Sequence, residues 1–159
     1  MTELGQVREQ YRSGKTALFA SLAGSGASTR GIHSLLQKLA RHTDATLLLL
    51  WQRANFPPDL CLLAVGGFGR GELFPHSDVD VLLLLPGNVN LDTDPALKAK
   101  LENFVSNCWD SGLEIGSSVR TAADCVEEAA KDVTGTPYIC TCPSRTINSS
   151  IWCLITASS

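Results

Sequence analysis

Apolar positions fall along this chain in two rhythms, a helical period near 3.6 residues and short unbroken runs. Val7, Tyr11, Leu18 and Leu22 stand at roughly helical spacing and predict a helix over residues 6–23. A stretch rich in glycine and serine, 24–30, then forms a joint in which Ser28 or Thr29 can cap the next helix. From there Ile32, Leu35, Leu36, Leu39, Leu47, Leu50 and Trp51 keep a helical stripe, with Arg41, Asp44 and Gln52 off it. Pro57-Pro58 closes this region and leads into a run from Leu60 to Val65 with the length of a buried strand. Gly66-Gly67 breaks that run, a polar turn over 68–77 follows, and Val79 to Leu85 forms a second apolar run interrupted only by Asp80.

After Pro86-Gly87 the pattern returns to a helix. Asp94 suits the N-cap, Pro95 the first helical position and Gly112 the stop; Leu97, Leu101, Phe104, Val105 and Cys108 form its stripe. Residues 113–120 alternate, with Leu113, Ile115 and Val119 on one side and Glu114, Gly116, Ser118 and Arg120 on the other. Thr121 and Asp124 make a capping-box-like start for a last helix through Lys131. A strand, a crossover helix and another strand pair most naturally in parallel. Asp78, Asp80 and Glu114 then come to one edge of the sheet. The expected fold is α+β, a small mixed sheet flanked by helices with the 79–85 strand at its centre.

The chemistry is concentrated at that edge. Residues two apart on a strand share a face, so Asp78 and Asp80 lie about 6–7 Å apart at the backbone. Two carboxylates at that range repel by about 2–3 kcal/mol at an effective dielectric near 20. A divalent cation between them relieves that repulsion. Glycines at 66 and 67 let backbone N–H groups approach phosphate oxygens closely.

Strand, Gly-Gly, short turn and Asp-Val-Asp-Val together resemble the DNA-polymerase-β-like nucleotidyltransferase superfamily. More narrowly, AVGGFGRGELFPHSDVDVLLL resembles the amino-terminal catalytic domain of bifunctional PII uridylyltransferase/uridylyl-removing enzymes. The resemblance covers about residues 30–134 and does not extend beyond. It implies transfer of UMP from UTP to a tyrosine hydroxyl of the PII signalling protein, in nitrogen regulation. Asp78, Asp80 and Glu114 would be the catalytic carboxylates and the ligands of Mg²⁺, and Gly66, Gly67, Arg70 and Ser77 would bind the nucleotide. Asp110 is the rival for the third ligand, and Glu114 is preferred for its place on a strand. Arg70 either contacts the triphosphate or pairs with Glu72, and Ser77 either bonds a phosphate or caps the turn. His33, His42 and His76 are read as packing or surface residues, and Arg120 is kept outside the site.

Composition narrows the picture in a few places. A net charge of −3, from 13 Lys+Arg against 16 Asp+Glu, gives no electrostatic footprint for nucleic acid. No apolar run is long enough to span a bilayer and the first residues lack a signal-peptide pattern, so a cytoplasmic protein is expected. The six cysteines form no Cys-x-x-Cys and no His/Cys ligand cluster, which argues against zinc and against a disulfide framework. Ser13-Gly14-Lys15-Thr16 mimics the end of a phosphate-binding loop, but Glu9 stands where the motif needs glycine and no strand precedes it. Residues 135–159 are rich in Ser and Thr, with Arg145 as their one charged side chain. The expected division is an amino-terminal helix and joint (1–29), a nucleotidyltransferase core (30–134) and an unmatched tail (135–159), disordered or out of frame, of a truncated chain.

Overall fold

The computed structural model describes residues 2–25, 28–131 and 145–146. Helix α1 (Glu3–Ser25) lies against α2 (Thr29–Ala54), the longest helix. Val7 and Tyr11 of α1 are buried with Leu39, Leu47 and Leu50 of α2, as the two stripes predict. The Ser28 hydroxyl accepts from the Gly31 N–H and so fixes the start of α2. The helix ends before the two prolines, because Asn55 turns left-handed at φ 49° and donates its N–H to the Gln52 carbonyl.

The Ser13–Thr16 stretch lies in the middle of α1 and serves packing. The His42 ring stacks on Tyr11 at 5.3 Å and its Nε2 lies 3.0 Å from the Tyr11 carbonyl oxygen. A Cβ on Gly14 would land inside that ring.

The sheet has the order β3-β2-β1-β4, built from β1 (Cys61–Ala64), β2 (Val79–Leu85), β3 (Ile115–Thr121) and a two-residue β4 (Arg145–Thr146). Strand β2 pairs antiparallel with β1 and parallel with β3, crossing over through α4 (Pro95–Asp110). Both faces of β1 and β2 are covered, which is why their sequences run almost unbroken in apolar residues. Leu62, Ala64, Val79, Val81, Leu83 and Leu85 join the core under α1, α2 and α4. Cys61, Leu63, Leu82 and Leu84 face the other way, together with Cys125 of α5 (Ala122–Lys131).

The punctuation of the later elements is as read. Asp94 accepts from the Leu97 N–H at 2.9 Å, and Gly112 takes φ +84° just past α4. Thr121 and Asp124 close a reciprocal box: the Thr121 N–H donates to Asp124 Oδ2 at 2.8 Å and the Asp124 N–H to Thr121 Oγ1 at 3.1 Å. Two details differ. Strand β3 starts at Ile115, leaving Leu113 and Glu114 before it, and the glycine turn opens with a one-turn helix, α3 (Gly66–Gly69). Three glycines make a poor helix, yet Phe68 within it is 2% exposed, and burying that ring offsets the low propensity. The expectation for the tail falls outside the described residues, apart from Arg145–Thr146 on the edge of β1.

Candidate active site

The mouth of β2 carries the acids. Asp80 is on the sheet face of Leu82 and Leu84, and its neighbours on either side lack side chains. Across the parallel ladder it pairs with Gly116, where a Cβ would stand 2.8 Å from Asp80 Oδ1. On the β1 side lies Gly66, whose Cβ would stand 3.1 Å from Oδ2. Asp80 therefore occupies a slot that any residue but glycine would narrow from both sides. Gly66 also takes φ +61°, a left-handed conformation that suits glycine. The Val65 N–H donates to the Asp80 carbonyl at 3.0 Å and locks the glycine turn to this point of β2.

Asp78 adjoins this slot. Desolvation first, and the Asp78 charge second, hold the Asp80 carboxyl above the ordinary carboxylate range. The two acids thus feel each other across an open strand mouth, where both residues are exposed. Paired carboxylate oxygens within a glycine cradle fit a hard divalent cation, which takes oxygen donors.

Glu114 arrives at the same edge. Its carbonyl accepts from the Val79 N–H at 2.8 Å, one step before the β3 ladder begins. It lines a small pocket with Tyr11, Lys15 and Ser77, and its charge helps raise the Tyr11 hydroxyl, after burial as the main cause. Among the described residues no three His, Cys, Asp or Glu side chains are gathered closely enough to hold a metal. The structure joins Asp78 to Asp80 and leaves the Glu114 side chain with Tyr11 and Lys15 of α1, since a residue short of the strand is not held to its alternation. Asp110 is the exposed last residue of α4.

The remaining candidates fall around the turn. The Arg70 guanidinium lies alongside Gly67, its Nη2 3.5 Å from where a Cβ would be. Glu72 pairs with His33 at 3.6 Å. Ser77 is exposed, and its N–H donates to the Phe74 carbonyl at 3.1 Å. Arg120 pairs with Glu128 at 3.5 Å, away from the acids. A larger groove of about 460 Å³ lies between α4 and β3, lined by Leu91, Leu101, Val105 and Val119, and touches neither aspartate.

Residues 15–117 match the family model described as "Putative nucleotidyltransferase DUF294", a span that holds both aspartates, the glycine turn and Glu114. The chain belongs to this nucleotidyltransferase family. It is 49% identical over 129 residues to the bifunctional uridylyltransferase/uridylyl-removing enzyme of Cupriavidus metallidurans, covering 81% of this chain and 14% of that protein. The corresponding enzyme of Ralstonia nicotianae is 56% identical over 103 residues, 65% of this chain and 12% of that protein. The chain therefore spans about a seventh of the length of these relatives.

Gly116 is the residue that sequence reasoning passed over. The alternation places it on the right strand and face, but a glycine interrupting an alternating strand is itself a sign of close approach by another group.

Proposed function

We propose that the chain carries the nucleotidyl-transfer site of a metal-dependent uridylyltransferase, moving UMP from UTP to a tyrosine hydroxyl of the PII signalling protein. The observation that carries this reading is the Asp78–Asp80 pair at the mouth of the central strand, with Asp80 set between Gly66 and Gly116. Family membership supports the reaction class, and similarity to uridylyltransferases supports the uridylyl group.

Asp78 and Asp80 would hold Mg²⁺, and Glu114 would be the third ligand of the set. When bound, the ion supplies charge neutralisation for the phosphates and favours ionisation of the attacking hydroxyl. The backbone of Gly66 and Gly67 offers N–H groups to the triphosphate, because the first turn of a helix does not consume its own amides. Arg70 and Ser77 flank that turn and would bind the same phosphates. The acceptor oxygen attacks the α-phosphorus, the bond to the β-phosphate breaks, and pyrophosphate leaves with the electron pair. In-line transfer depends on holding the acceptor within a fraction of an ångström. Incubating the protein with UTP labelled at the α-phosphate, Mg²⁺ and PII tests the proposal: label on PII that is lost in Asp80→Asn supports it, and label that persists in that variant contradicts it.

A second reading, nucleotide and metal binding without transfer, is favoured by the absence, among the described residues, of a third His, Cys, Asp or Glu side chain gathered with Asp78 and Asp80. Binding measured separately from transfer distinguishes the two.

A further inference from the structure

The first turns of α2 are tied to the loop that leaves the glycine turn. The Leu73 N–H donates to the Leu36 carbonyl at 3.4 Å, and both leucines are buried. One residue before Leu73, Glu72 Oε1 lies 3.6 Å from His33 Nδ1. The ring is oriented from its far side, where the Gln37 amide nitrogen, one helical turn on, lies 3.0 Å from Nε2. With that amide donating to Nε2, the ring proton sits on Nδ1, the atom that faces Glu72.

Glu72 has another cation at hand. Arg70 Nη2 and the Glu72 carbonyl oxygen lie 3.5 and 3.6 Å from one and the same point, the place of a Cβ on Gly67. Guanidinium and loop therefore border the same side of the phosphate turn. Glu72 nevertheless turns to His33, and among the described residues Arg70 forms no ion pair.

We propose that His33 is a positioning residue for the nucleotide: it holds the Glu72 carboxylate away from Arg70 and keeps the guanidinium free for the phosphates. The inference rests on the nucleotidyl-transfer reading above and adds to it a residue of α2, outside the strands and the glycine turn. A guanidinium takes carboxylate and phosphate with the same planar fork of donors, so the two compete for it directly. A carboxylate released beside the turn also repels a triphosphate of the same sign of charge. His33 removes both obstacles by giving Glu72 a different partner. The two side chains are 55% and 33% exposed, so the gain in nucleotide affinity is that of an exposed pair, about two- to fivefold.

Isothermal titration of UTP with Mg²⁺ into the chain and its variants tests the proposal. His33→Ala is expected to weaken binding about two- to fivefold. His33→Asn, whose amide can still donate to Glu72, should weaken it less. Glu72→Ala is expected to bind at least as tightly as the unsubstituted chain, and adding it to His33→Ala should restore what that variant lost. Without nucleotide, the Arg70 Nε–H resonance should shift in His33→Ala and return in the double variant. A contact that merely fixed the loop would behave otherwise: breaking it from either side would weaken UTP alike, and the double variant would recover nothing. That pattern, unchanged binding in His33→Ala, or an Arg70 resonance that does not respond would overturn the positioning role. Absence of magnesium-dependent UTP binding by the unsubstituted chain would instead overturn the transfer reading on which it rests.

Discussion

At the scale of single residues the account turns on Asp80. Its carboxyl is raised by desolvation and by Asp78, so the folded state holds that proton more tightly than the unfolded chain does. The stability tied to it is present at low pH and falls as pH rises through the raised carboxylate range. Asp80→Asn should therefore raise the melting temperature of the metal-free protein at neutral pH while abolishing magnesium-dependent binding, as scanning calorimetry with and without Mg²⁺ would show. Gly116→Ala divides the two properties differently. The atom it meets is the far end of a flexible side chain, so stability should change by less than about 1 kcal/mol. The displaced carboxylate should nevertheless weaken Mg²⁺ about 10-fold or more, the usual range for groups that orient a metal ligand. Gly66→Ala should cost about 1–2 kcal/mol, because its positive φ resists a Cβ. The acid pair was legible because spacing two on a strand is a local fact. The role of Gly116 was not, because it depends on the register between strands distant in sequence.

At the scale of elements, strands and long helices followed from their apolar rhythm, and three caps followed from side-chain chemistry. Ser28, Asp94 and the Thr121–Asp124 box each satisfy amides that a helix start leaves open. Thr121→Ala should lower stability by about 1 kcal/mol in urea unfolding. Because hydrogen bonds from Thr121 hold the Asp124 carboxyl below its ordinary range, the contribution of the box is present above that range and fades as pH falls through it. Helix α3 was not legible, since a Gly-Gly-Phe-Gly sequence argues against helix and only the burial of Phe68 reverses that. Gly14 teaches the same lesson in reverse. Replacing a mid-helix glycine by alanine ordinarily stabilises by about 1 kcal/mol. Here Gly14→Ala should destabilise by about 1–3 kcal/mol, because the new methyl displaces the His42 ring from Tyr11. Urea unfolding of that single variant decides the sign.

At the scale of the molecule, one parallel pairing places the chemistry. Because β2 and β3 run the same way, the start of each lies at the same edge, and antiparallel β1 returns its glycine turn there. Order of elements alone was enough to predict this convergence. The sequence did not show that Glu114 would fall just outside the β3 ladder, next to Tyr11 and Lys15 of α1. Nor did it show that α1 borders the edge, since that contact runs through the packing of Tyr11 on α2. Among the described residues no helix is long and apolar enough to cross a membrane. The central claim, that Asp78 and Asp80 hold a cation against a nucleotide triphosphate, is tested most directly by isothermal titration of UTP into the protein with and without Mg²⁺, repeated with Asp80→Asn. The account predicts saturable binding that needs Mg²⁺, weakens as pH falls into the raised range of Asp80, and is lost in the variant. Binding of equal strength without Mg²⁺, or unchanged in Asp80→Asn, would contradict it.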